Sequence, residues 1–157
     1  MEEKRNKHEN EGIKEGPFKQ LIRLLDELKN GIEILYYLMD SGKGKSFVTA
    51  LISADGIDLT AEIIEQKRET DLLFEIDQEK NLYAILCQST EVDGGYYFIK
   101  RLVESVQKKG GKNVYCSEIN VKNTDHPIQE IAFRLLNMYS RVKAQKSDGE
   151  ISYYALS

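Results

Sequence analysis

Between residues 17 and 40, large apolar side chains recur at alternating intervals of three and four. This spacing is a heptad pattern, and it places the whole set on one side of an α-helix. Pro17 suits the first turn of such a helix, where no backbone N–H is needed. The pattern therefore predicts a helix over 17–40. Its stripe consists of Phe18, Leu21, Leu25, Leu28, Ile32, Leu35 and Met39.

The pair Asn30-Gly31 lies in the middle of this stripe. A glycine inside a helix costs about 1 kcal/mol relative to alanine. Seven positions in phase outweigh that cost, so one continuous helix is the favoured interpretation. The alternative is a break at Asn30-Gly31, followed by a strand over 32–39.

Beyond a polar linker at 41–45, short apolar runs alternate with segments of helical periodicity. The order after the leading helix is β-α-β-β-α-β-α-β, in which 77–81 forms a hairpin loop. Two crossovers around a hairpin are typical of a ferredoxin-like fold, extended here by one helix and one strand. The predicted class is therefore α/β (α+β), with a sheet of about five strands and helices on one face. The predicted strands are 47–54, 71–76, 82–88, 114–121 and 151–156, and the predicted helices are 58–67, 92–108 and one that opens at Pro127.

Composition narrows the possible classes of protein. The chain has 157 residues, and 22 basic against 26 acidic side chains give a net charge of −4. Its acidity argues against nucleic-acid binding, and no apolar run approaches the roughly 20 residues of a membrane span. Two cysteines and two histidines make a zinc site improbable, so reduced thiols and a cytoplasmic location are expected. Residues 1–16 carry nine charges and are predicted to be a disordered tail ahead of the helix at 17–41.

Several segments of 47–157, taken in order, resemble the GGDEF superfamily, which has the diguanylate cyclase fold. The strand LISAD at 51–55 resembles the family's first strand, where metal-binding aspartates follow an apolar run. The segment RETD at 68–71 resembles its RxxD motif, and YAIL at 83–86 resembles the run after the signature. Ser117 is placed like the serine of the fourth strand, and the closing helix and strand are also similar.

The departures from the family pattern fall on its catalytic signature. If Tyr83 replaces the signature phenylalanine, the preceding positions are Glu79, Lys80, Asn81 and Leu82, so both glycines and the acidic pair are missing. Leucine can neither hold Mg²⁺ nor activate a hydroxyl group.

The first strand departs from the pattern as well. One metal-ligand position is Ser53, while Asp55 remains and leaves room for only a weak Mg²⁺ site. The resemblance therefore implies a degenerate relative that is not an enzyme and needs no cofactor.

The RxxD-like segment supports two interpretations. In active relatives this motif binds cyclic di-GMP at an inhibitory site, so the resemblance implies that Arg68 and Asp71 contact phosphate and guanine. The structural alternative is that Arg68 ends a helix, favourably placed against its dipole, while Asp71 merely precedes a strand.

The leading helix also supports two interpretations. In GGDEF proteins such a helix often forms a coiled coil that sets the geometry of a dimer. However, further apolar residues lie off the stripe, which is typical of a helix that packs on its own domain. The sequence leaves both arrangements open. The off-stripe residues are Ile22, Leu24, Ile34, Tyr37 and Leu38.

Three functional hypotheses follow. The favoured one is a non-catalytic regulatory or protein-interaction module, whose acidic charge favours a protein partner or a second copy. The second is a sensor that binds cyclic di-GMP or GTP without turnover near Arg68 and Asp71. The third is a nucleotidyl cyclase-like enzyme whose metal ligands are displaced to Asp55 or Asp77.

Overall fold

The computed structural model describes the backbone of residues 2–88 and 92–157, and the side chains of 16–88 and 95–157. Its element order confirms the predicted one. The elements are α1 (Glu2–Asp40), β1 (Phe47–Asp55), α2 (Leu59–Gln66), β2 (Leu72–Asp77), β3 (Leu82–Gln88), α3 (Val92–Lys108), β4 (Lys112–Val121), α4 (Ile128–Ala144) and β5 (Ile151–Leu156).

The five strands form one mixed sheet in the order β2-β3-β1-β4-β5. The central strand β1 runs antiparallel to both β3 and β4, and β5 runs parallel to β4. This arrangement confirms the ferredoxin-like sheet with one added helix and strand. Because Ser53 near the end of β1 pairs with Leu82 at the start of β3, the β2–β3 turn lies beside the end of β1.

Helices cover both faces of the sheet, so the prediction of helices on one face is wrong. Alternate residues of β1 point to opposite faces: Phe47 and Leu51 pack with α1 and α4, while Val48 and Ile52 pack with α2 and α3. The first eight residues of β1 are all buried. A strand that is buried on both sides requires an apolar layer on each side.

The stripe of α1 packs within the chain, against the sheet and α4. Leu28, Ile32 and Leu35 from the predicted heptad are buried there, together with the off-stripe Leu24. The flanking stripe residues Leu21, Leu25 and Met39 are partly buried against the same core, whereas Phe18 is exposed. A coiled-coil contact with a second chain stays a prediction.

Gly31 lies within α1, which is continuous through Asn30, so the alternative of a break and a strand at 32–39 is wrong. A Cβ atom built on Gly31 would lie 2.7 Å from Cδ2 of Leu86 on β3. The glycine therefore lets the helix approach the sheet more closely than any other residue type would.

The helix α1 begins at Glu2, whereas the sequence predicted a start at Pro17. Glu, Lys and Arg are good helix formers. The helix is continuous through Pro17, although an internal proline removes one backbone hydrogen bond and its ring crowds the preceding turn. The disorder expected for 1–16 stays a prediction. Within the described ranges, no helix combines the length and the apolar character needed to cross a membrane.

Candidate functional site

The end of β1 and the β2–β3 turn form the region where the resemblance places the catalytic site. We call this the signature region; it comprises Ser53, Asp55, Glu79, Lys80, Asn81 and Leu82. Register pairing of β1 with β3 brings these residues to the same end of the sheet. Glu79 and Lys80 point to solvent, and Asn81 adopts a left-handed backbone with φ 51°, which asparagine tolerates better than most residues.

The side chain of Asn81 closes the turn onto β1. Its Nδ2 donates hydrogen bonds to the carbonyl oxygens of Ala54, at 2.7 Å, and Ile57, at 3.3 Å. An acidic side chain here would repel both carbonyl oxygens unless a cation lay between them. The amide instead supplies the positive end of a dipole itself, so position 81 satisfies the carbonyls without an ion.

Ser53 and Leu82 serve the packing of the domain. The Ser53 hydroxyl lies 2.6 Å from the Tyr139 hydroxyl of α4, and both are buried. Burial raises the pKa of Tyr139 to about 12; the hydrogen bond with Ser53 lowers it, and the Asp55 and Asp77 carboxylates raise it. Tyr139 is therefore protonated at neutral pH and ties α4 to the end of β1. Leu82 is fully buried in the core.

Asp55 and Asp77, the carboxylates that the cyclase-like hypothesis takes as displaced metal ligands, accept hydrogen bonds from neutral groups. Asp55 is exposed and accepts a hydrogen bond from the Asn113 side chain at 2.9 Å. Asp77 accepts from the Gln20 side chain at 3.0 Å and from the Lys80 backbone at 3.3 Å. Among the described residues, no group of three or more His, Cys, Asp or Glu side chains could hold a metal ion.

The RxxD-like segment forms an intramolecular ion pair, which joins the two residues that the sequence singled out. Nη2 of Arg68 lies 2.8 Å from Oδ1 of Asp71, and its Nε lies 3.2 Å from both carboxylate oxygens. The Arg68 backbone N–H adds a bond of 2.9 Å to Oδ2. Asp71 is 1% exposed, whereas the Arg68 side chain is 54% exposed. The hydrogen bonds to Asp71 raise the pKa of Arg68.

This ion pair also fastens the end of β3. Nη2 of Arg68 donates to the carbonyl of Gln88 at 3.3 Å, and the Gln88 side chain donates back to the carbonyl of Thr70 at 3.0 Å. These bonds connect the loop between α2 and β2 with the neighbouring strand. The pair thus has a structural role whether or not it binds a ligand.

A groove of about 580 Å³ lies between α1 and the start of α4, and sequence reasoning missed it. Tyr36 from α1 donates a hydrogen bond of 2.6 Å to the carbonyl of His126, 90 residues away. Burial raises the pKa of Tyr36 to about 12, with Glu130 and Asp125 adding to the shift. The groove depends on two distant segments meeting, and the only sequence signal nearby is His126-Pro127 at a helix start.

A second feature missed from the sequence is an apolar patch at the edge of the sheet, which we call the α1–β2 edge patch. It consists of Ile34, Tyr37 and Leu72, which are 61%, 71% and 43% exposed. A shallow groove lined by Gly31 and Thr70 adjoins it. Since β2 is the outermost strand on this side of the sheet, the patch borders an unpaired strand edge.

Comparison with known proteins shows the fold. No family model matches the sequence. No curated protein matches it either. Solved structures do match: the GGDEF domain of FimX from Pseudomonas aeruginosa has a TM-score of 0.60 at 12% identity, covering 83% of this chain and 92% of that one. The coiled coil and GGDEF domain of DgcB from Caulobacter crescentus, in complex with c-di-GMP, has a TM-score of 0.61 at 7% identity, covering 94% and 95%.

A third similar structure is the diguanylate cyclase SiaD in complex with its activator SiaC from Pseudomonas aeruginosa. Its TM-score is 0.60 at 14% identity, over 83% of this chain. This chain spans 56% of the length of the SiaD chain. At such identities the likeness concerns the fold, and it confirms the GGDEF-like architecture predicted from the sequence.

Proposed function

On the premise that this chain has a GGDEF-like fold, we propose that it is a non-catalytic regulatory module that works through protein contacts. The hydrogen bonds from Asn81 to the carbonyls of Ala54 and Ile57 carry this proposal. They place a donor where phosphoryl-transfer chemistry needs oxygen ligands around a cation.

Electrostatics support the same conclusion. Phosphoryl transfer is mainly positioning and neutralisation of charge by metal ions and cationic side chains. In the signature region, position 82 is a buried leucine and position 53 is a serine bonded to a tyrosine. Asp55 remains as an exposed carboxylate held by Asn113, which is too little to bind two phosphate-bridging ions.

The proposal predicts that the purified chain forms no cyclic di-GMP from GTP with Mg²⁺ or Mn²⁺. An active GGDEF domain in the same assay serves as the positive control, and product is followed by liquid chromatography. Product above background, lost in Asp55→Asn or Asp77→Asn, would overturn the proposal and support the cyclase-like hypothesis with displaced ligands.

The α1–β2 edge patch is the proposed contact surface. Exposed apolar residues beside an outermost strand are the feature that strand-pairing partners use. Two copies of such an edge can pair antiparallel about a two-fold axis. A second copy of this chain is therefore the first partner to test, and the similar SiaD structure is of a diguanylate cyclase in complex with its activator SiaC.

Sedimentation velocity tests this surface directly. We expect a concentration-dependent dimer for the wild-type chain, and a monomer for Ile34→Glu because the charge would be buried in the contact. Ile64→Glu is the matched control, since Ile64 is equally exposed but lies on α2, on the opposite face of the sheet. A dimer that survives Ile34→Glu and Leu72→Glu would remove the patch from the proposal.

A ligand sensor is the second candidate function. The half-exposed guanidinium of Arg68, held rigid by the buried Asp71, presents a preorganised cationic face, and the similar DgcB structure contains c-di-GMP. Under this hypothesis cyclic di-GMP binds with low-micromolar affinity by calorimetry and Arg68→Ala abolishes binding. Arg23→Ala is the control, because Arg23 is an equally exposed arginine paired with Glu27 on α1. Equal affinity in the wild type and Arg68→Ala would exclude this site.

A further inference from the structure

Two polar side chains of β4 are buried without hydrogen-bond partners. Glu118 and Asn120 are each 0% exposed. In the described part of the chain, neither carboxylate oxygen of Glu118 and neither amide atom of Asn120 has a partner. Buried polar groups are normally paired, and each exception requires an explanation. These two residues lie two positions apart on one strand, so they share one face of the sheet.

That face is the one covered by α2 and α3. Cys116, the preceding residue on the same side of β4, belongs to the core shared with Ile99 and Leu102 of α3. The cross-strand neighbour of Glu118 on β5 is Tyr153, whose ring contacts Tyr96 at 5.8 Å. The turn of α3 that carries Tyr96 therefore packs on the strand neighbour of Glu118.

Among the residues whose side chains the structure describes, the titratable groups around Glu118 supply no opposite charge. The Cys116 thiol on β4, the Tyr153 hydroxyl on β5 and the Cys87 thiol on β3 are its neighbours on the sheet. Burial raises the pKa of Cys87, the Asp71 carboxylate raises it further, the Arg68 guanidinium lowers it, and the Glu118 carboxylate raises it. Arg68, the cation in this set, is paired with Asp71. The nearby charged side chains of α3 point to solvent, and the buried Glu62 of α2 is paired with Lys109. Those exposed α3 residues are Lys100, Arg101 and Glu104.

Ionisation of Glu118 therefore opposes burial. Loss of solvation raises the pKa of Glu118 to about 8, and no other cause contributes. Where α3 is lifted and water reaches the carboxyl, its pKa returns to the ordinary range near 4.5. Between these two values the open form is ionised and the packed form is protonated, so rising pH favours opening.

We propose that Glu118 is a proton-dependent latch: when protonated it lets α3 seat on the sheet, and when ionised it draws water in and releases the early turns of α3. This regulation is independent of the proposed contact surface. The equilibrium for opening is expected to rise about tenfold for each pH unit up to the pKa of the packed form, and to level off above it.

The buried thiol of Cys116 allows the latch to be measured in the intact protein. Cys116 lies under α3 and is fully buried, so its alkylation by iodoacetamide reports opening. Peptide mass spectrometry gives the rate for Cys116 in the wild type and in Glu118→Gln at each pH from 5 to 9. Burial raises the pKa of Cys116, and the Glu118 charge raises it further. The ratio of the two rates cancels the titration of the thiol except for this contribution of the Glu118 charge, which works against the expected rise in the ratio. We expect this ratio to rise about tenfold per pH unit and then to become constant above pH 8.

Two further variants make the outcome decisive. Glu118→Leu also removes the ionisable group, without adding an amide, and should behave as Glu118→Gln does; Glu104→Gln changes an exposed glutamate of α3 and should behave as the wild type does. A ratio that stays constant with pH would overturn the proposal. It would also be overturned if urea accelerated labelling as strongly as it accelerates global unfolding, because the whole fold rather than α3 would then be opening.

Discussion

Replacing Arg68 by alanine is expected to lower the free energy of unfolding by about 2 kcal/mol. Removal of one partner from a buried ion pair leaves the other charge uncompensated, which costs 3–5 kcal/mol when both are buried. Asp71 is 1% exposed, but Arg68 is 54% exposed, so part of that cost is screened by solvent. Urea denaturation at neutral pH measures the change.

The double variant Arg68→Ala/Asp71→Ala provides the control. Once the buried carboxylate is also gone, we expect a stability at least equal to that of Arg68→Ala alone, because no isolated charge remains in the core. A double variant that is less stable by the full sum of the two single changes would mean that the two side chains act independently. The same series separates a lost ligand contact from a damaged fold when cyclic di-GMP binding is assayed.

Replacing Gly31 by valine is expected to cost about 2 kcal/mol, although valine is a better helix former than glycine. A Cβ at this position would already lie 2.7 Å from Cδ2 of the buried Leu86, and valine adds two methyl groups there. Either α1 must move away from β3 or Leu86 must leave its packed rotamer. Thermal and urea denaturation measure the loss, which should appear without a change in helix content.

Asn30→Val is the matched control for the glycine prediction. Asn30 is the adjacent residue of α1 but faces solvent. Its helix propensity is close to that of valine, so we expect a change within about 0.5 kcal/mol. If Gly31→Val were as stable as Asn30→Val, the close approach of α1 to the sheet would not constrain this position.

The sequence predicted the elements well because their periodicity is a local property. Strand β3 and helix α3 have the predicted bounds, whereas the predicted hairpin loop at 77–81 is one residue shorter, because Asp77 belongs to β2 and the turn is 78–81. The hairpin and the two crossovers allow few topologies, and they predicted the ferredoxin-like arrangement. Heptad spacing identified α1 but not what covers it, since packing on its own sheet and on a second chain require the same stripe.

The features of the site that could not be predicted from the sequence depend on contacts between residues far apart in the chain. At position 81 the sequence showed only that the acidic residue of the family pattern is absent. It could not show the hydrogen bonds of Asn81, because the acceptors are the backbone carbonyls of Ala54 and Ile57, which every residue type has. The burial of β1 on both faces was implied by its continuous apolar run, but the prediction of a one-sided sheet overlooked it. Glu118 lies in an apolar run and gives no hint in sequence that its carboxyl lacks partners.

The central place of β1 has a consequence for how the chain folds. Its hydrogen-bonding partners, β3 and β4, begin 35 and 65 residues after Phe47, so the first strand made has no neighbour until much later segments exist. Contacts of such sequence separation must overcome loop-closure entropy before they stabilise anything. During synthesis on a ribosome, the apolar surfaces of α1 and β1 would therefore stay exposed while the later strands are made. The second edge of β1 is paired only when β4 has been synthesised. We therefore expect dependence on chaperones to be greatest before residue 121 is synthesised.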